Sequence, residues 1–450
     1  MRLLLINPRN PLVSMGSKRD PWSKYRVWKP LGLMAVAGLT PAGWDISIVD
    51  ENLGVPDYEA MPRPDLVGMS AFTSQAPRTY ELAAQFQDLG IPVVMGGIHA
   101  TMRPAEASGR MDAVVTGEAE SIWPEVLDDF RSGRLKKVYE GTLQPMGKKP
   151  LPRHDLLPSG YYYGSIQTTR GCPLNCSFCS VSAFNGKTYR ARPIEEVVEE
   201  FRQIRERHIL VVDDNLIGTR KEHIVRAKEL FRAMISADLG KRWFSQATIN
   251  MADDEELLEL AARAGCTGVF IGFETPKPEG LVEVRKLYNL RNSRDFRASV
   301  RRIQKHNILV AGSFIMGLDI DHPGIGLEIA STAREYGVDA INTMYLTPLP
   351  GTALWDRMEA DGLIRLNRFP EDWKYYTLTI PVCSYRHFSH DQIVDEMHDC
   401  NSSFYSLAGI MRRAARVFFK GHRTILSLVC NLSYRKNAEL GWRYLEDIRR

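Results

Sequence analysis

Short apolar runs rich in β-branched residues alternate with helical stretches along most of this 450-residue chain, and that alternation leaves few folds open. Within residues 1–145 the strands read Leu3–Asn7, Asp45–Asp50, Leu66–Ser70, Pro92–Met95 and Ala113–Thr116. Helical stretches lie between them at Leu31–Leu39, Pro77–Leu89 and Ile122–Arg131; in the second, Ala83, Ala84 and Phe86 are among the apolar positions. Uninterrupted apolar strands suit burial on both faces, so the pattern predicts a Rossmann-like, doubly wound parallel sheet with helices on either side. Such sheets take ligands outside the carboxyl ends of their strands. Those ends carry Asn7-Pro8, Asp50-Glu51, Ser70-Ala71-Phe72-Thr73, Gly96-Gly97-Ile98-His99 and Gly117-Glu118.

Residues 133–160 hold several Gly, Pro and Lys residues with little periodicity and read as the crossing between domains. A second β/α series begins at Gly164, with strands at Ser165–Thr169, Ile209–Asp213, Trp243–Ala247, Gly268–Phe273, Leu309–Met316 and Ala340–Leu346. Helices of fitting length fall between them, at Ile194–Arg207, Lys221–Ala237, Asp254–Ala264 and Ser293–His306. Six units predict a partial (β/α)6 barrel over residues 146–370, not fully closed, with its site at the strand carboxyl ends. Beyond about Phe369 the alternation stops. Asp391–Arg416, Thr424–Tyr434 and Leu440–Ile448 read as helical, which makes 371–450 a small, mainly helical third domain.

Composition mostly excludes. A net charge of +4 is too small to imply nucleic acid. The opening run Met1–Pro8 is too short for a signal peptide and lacks a small-residue cleavage site. No stretch approaches the roughly 18 uncharged apolar residues of a spanning helix, so a cytosolic protein is expected. Of the seven cysteines, 266, 383, 400 and 430 are scattered and read as small core residues. The other three crowd into eight residues, which is not a disulfide framework for a large intracellular chain.

That crowded segment is Thr168-Thr-Arg-Gly-Cys172-Pro-Leu-Asn-Cys176-Ser-Phe-Cys179-Ser, directly after the first barrel strand. Its C-x3-C-x2-C spacing lets three thiolates close on three irons of a [4Fe–4S] cluster and leaves the fourth iron open for a chelating ligand. Structural zinc is the alternative, but it prefers four ligands in paired clusters, and no second C-x2-C or H-x3-H pair occurs. A redox dithiol needs only two cysteines.

Cysteines so spaced, with Phe178 as the aromatic before the last, on the first loop of a six-unit barrel, resemble the radical S-adenosylmethionine (SAM) superfamily. There the open iron binds the amino and carboxylate groups of SAM, and one electron cleaves SAM to methionine and a hydrogen-abstracting 5′-deoxyadenosyl radical. The resemblance continues in order through Val211-Val-Asp213-Asp214-Asn215, Phe244-Ser-Gln246, Gly272-Phe-Glu274-Thr-Pro276, Ala311-Gly-Ser313-Phe-Ile-Met-Gly317 and Tyr345-Leu346-Thr-Pro-Leu-Pro-Gly351. It implies SAM contacts from Phe178, Asp213, Asp214, Gln246, Glu274, Ser313 and Leu346. It also implies a one-electron donor such as flavodoxin or ferredoxin.

The first domain resembles the cobalamin-binding domain of the cobalamin-dependent subclass through Ser70-Ala-Phe-Thr73, Gly96-Gly-Ile-His-Ala-Thr101 and Asp112-Ala-Val-Val-Thr-Gly117-Glu118. That implies cobalamin contacts from Ser70, Thr73, Gly96, Gly97, Gly117 and Glu118. The D-x-H-x-x-G motif that gives cobalt a histidine is absent, as it is from many members of the subclass: the first loop reads Asn7-Pro-Arg-Asn-Pro-Leu-Val, and no histidine precedes His99. His99 reads as a loop histidine and not as a ligand.

Val212–Gly218, Gln246–Asp254 and Phe270–Pro276 bring the chain nearest the hopanoid 2-methylase-like group, whereas methylthiotransferases need three further cysteines upstream. The resemblance implies methylation of an unactivated carbon on a small or lipid-like substrate. One SAM methylates cobalamin and another supplies the radical. A cyclase, ring-contracting or rearrangement enzyme with the same cofactors is the alternative, and a cluster-bearing sensor without chemistry is the alternative from another class. Residues 411–436 carry seven Arg or Lys and no Asp or Glu, so a helix there either lies on an anionic membrane or packs over the barrel mouth with its arginines solvated. Packing is the preferred reading. Tyr375, Tyr376, Tyr385 and Phe388 precede it as aromatic groups near that mouth.

Overall fold

The computed structural model describes residues 1–12, 28–293, 295–417, 427–436, 438–439 and 445. Its strands are β1 (Arg2–Asn7), β2 (Asp45–Asp50), β3 (Leu66–Ser70), β4 (Val93–Gly96), β5 (Ala113–Thr116), β6 (Val138–Glu140), β7 (Tyr163–Ile166), β8 (Thr169–Arg170), β9 (Arg190–Ala191), β10 (His208–Val211), β11 (Arg242–Gln246), β12 (Cys266–Glu274), β13 (Leu309–Met316) and β14 (Ala340–Tyr345). The helices are α1 (Leu31–Leu39), α2 (Ala76–Asp88), α3 (Ile98–Met102), α4 (Pro104–Ser108), α5 (Trp123–Arg131), α6 (Ser180–Phe184), α7 (Ile194–Gln203), α8 (Lys221–Ser236), α9 (Glu255–Arg263), α10 (Pro278–Glu283), α11 (Phe296–Lys305), α12 (Ile325–Tyr336), α13 (Ala353–Ala360), α14 (His390–Phe404) and α15 (Leu407–Val417).

The first sheet has the order β2-β1-β3-β4-β5-β6, parallel throughout. Alternate residues of each strand face opposite sides. Leu3, Leu5, Leu66, Val94, Ala113 and Val115 pack on α1 and α5 through Leu33, Met34, Trp123, Val126 and Leu127. Leu4, Ile6, Val67, Met69, Val93, Met95 and Val114 pack on the other side with Leu82, Ala83 and Phe86 of α2. Burying an aliphatic side chain of this size contributes about 1.5–3 kcal/mol, so two filled faces hold the sheet. The strand order reverses between β1 and β3, which opens a crevice at their carboxyl ends.

The second sheet runs β14-β13-β12-β11-β10-β7, again parallel, as an open barrel. All eight residues of β13 are buried, which is why that strand reads as an unbroken apolar run. Its core is continuous with the α2 side of the first sheet. The segment after residue 370 adds Trp373, Tyr376, Val382, Tyr385, Ile393 and Phe404 to the same core. The Ser389 hydroxyl accepts from the Gln392 N–H, and the Gln392 side chain accepts from the Ser389 N–H in return; this reciprocal cap starts α14.

Three features differ from the sequence reading. The stretch expected to be only a crossing contributes β6, a three-residue strand with Tyr139 alone buried, too short for a periodicity to register. The strand expected at Ser165–Thr169 is split: β7 ends at Ile166, and β8 pairs antiparallel with β9, away from the barrel sheet. The helix expected over Asp391–Arg416 breaks at Tyr405-Ser406 into α14 and α15. The stretch expected at Leu440–Ile448 lies outside the described residues except for residue 445.

Candidate active site

The cysteine loop is built between β8 and β9. Their pairing sets Arg170 opposite Arg190 and makes a neck. Inside it the Cys172 N–H donates to the Gly186 carbonyl (3.2 Å), and Asn175 takes a left-handed φ of 51° that turns the chain between Cys172 and Cys176. The Ser177 N–H donates to the Val284 carbonyl (3.1 Å), and the Ser177 carbonyl accepts from the Leu354 N–H (2.9 Å). The loop is therefore pinned to the end of α10 and the start of α13 as well.

Cys172, Cys176 and Cys179 are free and half-buried, as Cys430 is, whereas Cys266, Cys383 and Cys400 are buried. Burial raises all three loop thiols, Cys176 to about 12 and Cys179 to about 11, while the Lys286 ammonium pulls Cys172 and Cys176 back down. Among the described residues no group of three or more His, Cys, Asp or Glu is gathered closely enough for a single metal ion. Three thiols in one loop, with a buried cation beside them, fit a cluster in which several irons compensate the thiolate charge.

Beyond the cysteines the site holds a buried ion pair. Glu274 ends β12 at φ 69°, a left-handed conformation rare for a non-glycine residue, where the register against β13 slips. Its carboxylate pairs with the Lys286 ammonium; both side chains are at most 10% exposed. Burial alone would lower the Lys286 amine, but the Glu274 carboxylate holds it above its usual range. A buried charge pair on strained backbone beside the thiols makes this a candidate functional position. The sequence singles out Glu274 but not its partner Lys286, whose surroundings in Val-Arg-Lys-Leu-Tyr carry no distinguishing pattern.

Asp214 accepts from the Gly171 N–H (2.8 Å) and the Asn185 amide (2.9 Å), so it ties the two sides of the cysteine loop together. Burial raises its carboxyl to about 6. Gln246 is exposed at the end of β11, and Phe178 is half-buried against the barrel core.

Three residues expected to touch SAM are deeply buried. Asp213 is fully buried, and its oxygens accept from the Thr168 N–H, the Thr168 hydroxyl and the Thr169 hydroxyl, so it anchors the chain entering the loop. Ser313 is 2% exposed within β13. Leu346 is 1% exposed, and its carbonyl accepts from the Tyr385 hydroxyl (3.2 Å). The hydrophobic run and the paired acids that made these positions resemble contacts also suit plain packing.

On the first sheet, Ser70 and Gly96 end adjacent strands, β3 and β4, and Thr73 starts the short turn after β3. Phe72 between them is 68% exposed, unusual for a large apolar side chain beside a cleft. Gly97 has φ 90° and ψ −172°, a region open almost only to glycine. A side chain there would strike the Ser70 hydroxyl and the Ala71 backbone, and one at Gly117 would strike the Gly141 carbonyl. These two glycines therefore serve the chain's own close packing at the strand ends.

Glu118 is engaged within the chain: its oxygens accept from the Gln144 N–H (2.7 Å) and from both terminal nitrogens of Arg190 (2.6 and 3.0 Å). The sequence offered no clue to a partner 72 positions away. His99, expected in a loop, lies on α3 and is fully buried; the Tyr80 hydroxyl is 2.9 Å from its Nε2, and its Nδ1 is sealed from solvent. An imidazole so enclosed is a core group, and cobalt would not reach it. The half-buried strand ends, with an exposed Phe72 between Ser70 and Thr73 and the His99 imidazole sealed in the core, fit a corrinoid held without a histidine ligand.

The two carboxyl edges meet. Helix α3 of the first sheet touches α6 of the cysteine loop, and a side chain at Gly351, beyond β14, would collide with Met102.

Comparison with known proteins accords with this geometry. Residues 166–323 match the radical SAM superfamily and residues 24–127 match the B12 binding domain. The bacteriochlorophyllide d C-12(1)-methyltransferase of Chlorobaculum tepidum is 30% identical over 397 residues, 85% of this chain and 84% of the relative. The hopanoid C-2 methylase of Rhodopseudomonas palustris is 27% identical over 85% of this chain and 72% of its own. Among solved structures, the radical SAM methyltransferase TsrM from Kitasatospora setae, with cobalamin and a [4Fe-4S] cluster bound, superposes with a TM-score of 0.68 at 17% identity over 100% of both chains.

Proposed function

This chain belongs to the radical SAM enzymes that carry a cobalamin-binding domain, and from that premise we propose that it is a C-methyltransferase acting on an unactivated carbon of a small or lipid-like substrate. The observation that carries the reading is the meeting of the two carboxyl edges, α3 against α6 and Gly351 against Met102. A methyl carrier on one edge and a radical source on the other then share one cavity, which ordinary SAM methylation at a nucleophile does not need. The relatives named above are C-methylating enzymes by their descriptions.

In this reading Cys172, Cys176 and Cys179 hold the [4Fe–4S] cluster, and Ser70, Thr73 and Gly96 border the cobalamin. When bound, the cluster supplies the electron that cleaves SAM and the cobalamin supplies a methyl carrier. The chain's own residues position and enclose. Asp213 and Asp214 fix the loop, and the Lys286–Glu274 pair presents one buried cation and one buried anion to the zwitterionic end of SAM. A small one-electron donor, such as flavodoxin or ferredoxin, reduces the cluster.

Residues 146–370 act as the radical-generating unit, 1–145 as the cobalamin unit and 371–450 as a cover for the barrel. Arg413 supports the covering role: its guanidinium is buried on Phe404 (3.9 Å to the ring centre) and bonded to Asn431. Leu407 and Met411 on the same helix are exposed, and a peripheral membrane contact would use them. Co-sedimentation with anionic liposomes at low salt tests that contact, and absence of binding removes it. Among the described residues no helix is long and apolar enough to cross a membrane.

Turnover of candidate substrates with methyl-labelled SAM tests the reaction. Label in the product supports methyl transfer. Conversion without label replaces it with a cyclising or rearranging reaction on the same cofactors.

A further inference from the structure

The neck of the cysteine loop is held by the other domain. Arg170 enters the loop and Arg190 leaves it, and the β8–β9 pairing places these like charges directly opposite each other. Like charges so placed repel. Both turn to one carboxylate, Glu118 of the first domain, whose side chain is 5% exposed. Arg190 binds it with two nitrogens at 2.6 and 3.0 Å, and Arg170 approaches to 3.3 Å. Glu120 takes the other Arg170 nitrogen at 2.5 Å. The Arg190 guanidinium also donates to the Asn185 carbonyl (2.9 Å), and the Asn185 amide donates to Asp214, which receives the Gly171 N–H next to Cys172. One buried carboxylate thus binds both sides of the neck.

Glu118 is also joined to the first domain's own ligand edge. It follows Gly117, whose N–H donates to the Thr101 hydroxyl (3.0 Å), and that hydroxyl donates to the Gly97 carbonyl (2.9 Å). Gly97 in turn lies against Ser70 at the end of β3. An unbroken set of contacts therefore runs from the Ser70–Gly97 strand ends to Glu118, then through the two arginines to the residue before Cys172.

We infer that Glu118 is a positioning residue that makes occupation of the first domain's strand-end site and SAM binding at the cysteine loop interdependent. This rests on the cofactor reading above. A shift at the Gly97–Gly117 edge moves the Glu118 carboxylate, and the neck, held closed against its own repulsion, follows. Linkage then requires the effect to be reciprocal.

The test uses the full chain, anaerobically loaded with cluster. SAM affinity is measured by calorimetry with and without hydroxocobalamin, and cobalamin affinity with and without SAM. In the unaltered protein each ligand raises the affinity for the other by at least about fivefold. In Glu118→Gln, which keeps the side chain's size, removes its charge and turns one of its two acceptor oxygens into a donor, both ratios fall to within about twofold of unity while iron per chain and the cobalamin spectrum are retained.

Should Glu118→Gln fail to fold or load, Glu120→Gln, which frees Arg170 from one partner and leaves Arg190 gripped, gives ratios between those limits. A ratio of unity in the unaltered protein, or unaltered ratios in a loaded variant, overturns the inference. A chain that takes up no cobalamin fails earlier, at loading, and removes the cofactor reading with it.

Discussion

Both six-stranded sheets place loops along one carboxyl edge, yet the two edges use their side chains differently. On the barrel, three cysteines are gathered in one half-buried loop, while Cys266, Cys383 and Cys400 are buried one by one and Cys430 is half-buried on its own. On the first sheet, the residues that resembled ligand contacts are largely engaged by the protein itself. Gly97 packs on Ser70, Gly117 on Gly141 and Glu118 on Arg190. The barrel edge offers particular reactive atoms, and the first edge offers a surface of defined shape. A cluster needs specific ligands, whereas a large planar cofactor needs mostly a fitted bed.

That contrast can be broken most sharply with cysteine. Cys176→Ala should reduce iron content and 5′-deoxyadenosine formation to the level of protein-free controls, with little change in melting temperature. Cys266→Ala, on a buried strand, should keep its iron and lose about 1–2 kcal/mol of stability in denaturant titration. Equal iron loss in both would erase the distinction between reactive and core cysteines.

Lys286→Met leaves the Glu274 carboxylate buried and unpaired, and removal of one member of such a pair costs about 3–5 kcal/mol. The double variant Lys286→Met/Glu274→Gln should recover part of that stability while SAM affinity remains low. Recovery of SAM affinity would show that the pair serves only the fold.

Gly97→Ala sharpens the other side. Its φ of 90° and the Ser70 hydroxyl in its path predict a loss of about 2–3 kcal/mol and weaker cobalamin retention, with iron content unchanged. Loss of iron as well would mean that the first domain's edge and the cysteine loop fold as one unit.

The smallest effect concerns pH. Burial raises the Asp321 carboxyl to about 6 from an ordinary 3.8, although the Gly317 and Leu318 N–H groups donate to it and oppose the shift. The folded chain therefore holds this proton more tightly than the unfolded chain does. Asp321 is protonated in both states at low pH, and the cost of ionising it appears as pH rises from about 4 to about 6. Asp321→Asn should remove of order 1–2 kcal/mol of that pH dependence in melting experiments between pH 4 and 7.

What was legible in the sequence follows the range of the interactions involved. The β/α alternation and the cysteine spacing are local, and β13 appeared at the bounds expected for it. Elements with almost no local pattern were lost: β6 buries a single side chain, and β8 and β9 have two residues each. Partner choice was lost as well. That Glu118 pairs with Arg190, that Asp213 anchors Thr168, and that His99 sits under Tyr80 are all decided by where the chain returns in space. An acid at a strand end looks the same whether it meets a cofactor or an arginine.

The central claim is that one chain joins a methyl carrier to a SAM-cleaving cluster. Its most direct test is to incubate the anaerobically reconstituted, cobalamin-loaded protein with reductant and methyl-labelled SAM, then measure label on the cobalamin and free 5′-deoxyadenosine together. The account predicts both, with Cys176→Ala losing the 5′-deoxyadenosine. A protein with full iron and full cobalamin that gives neither would contradict it.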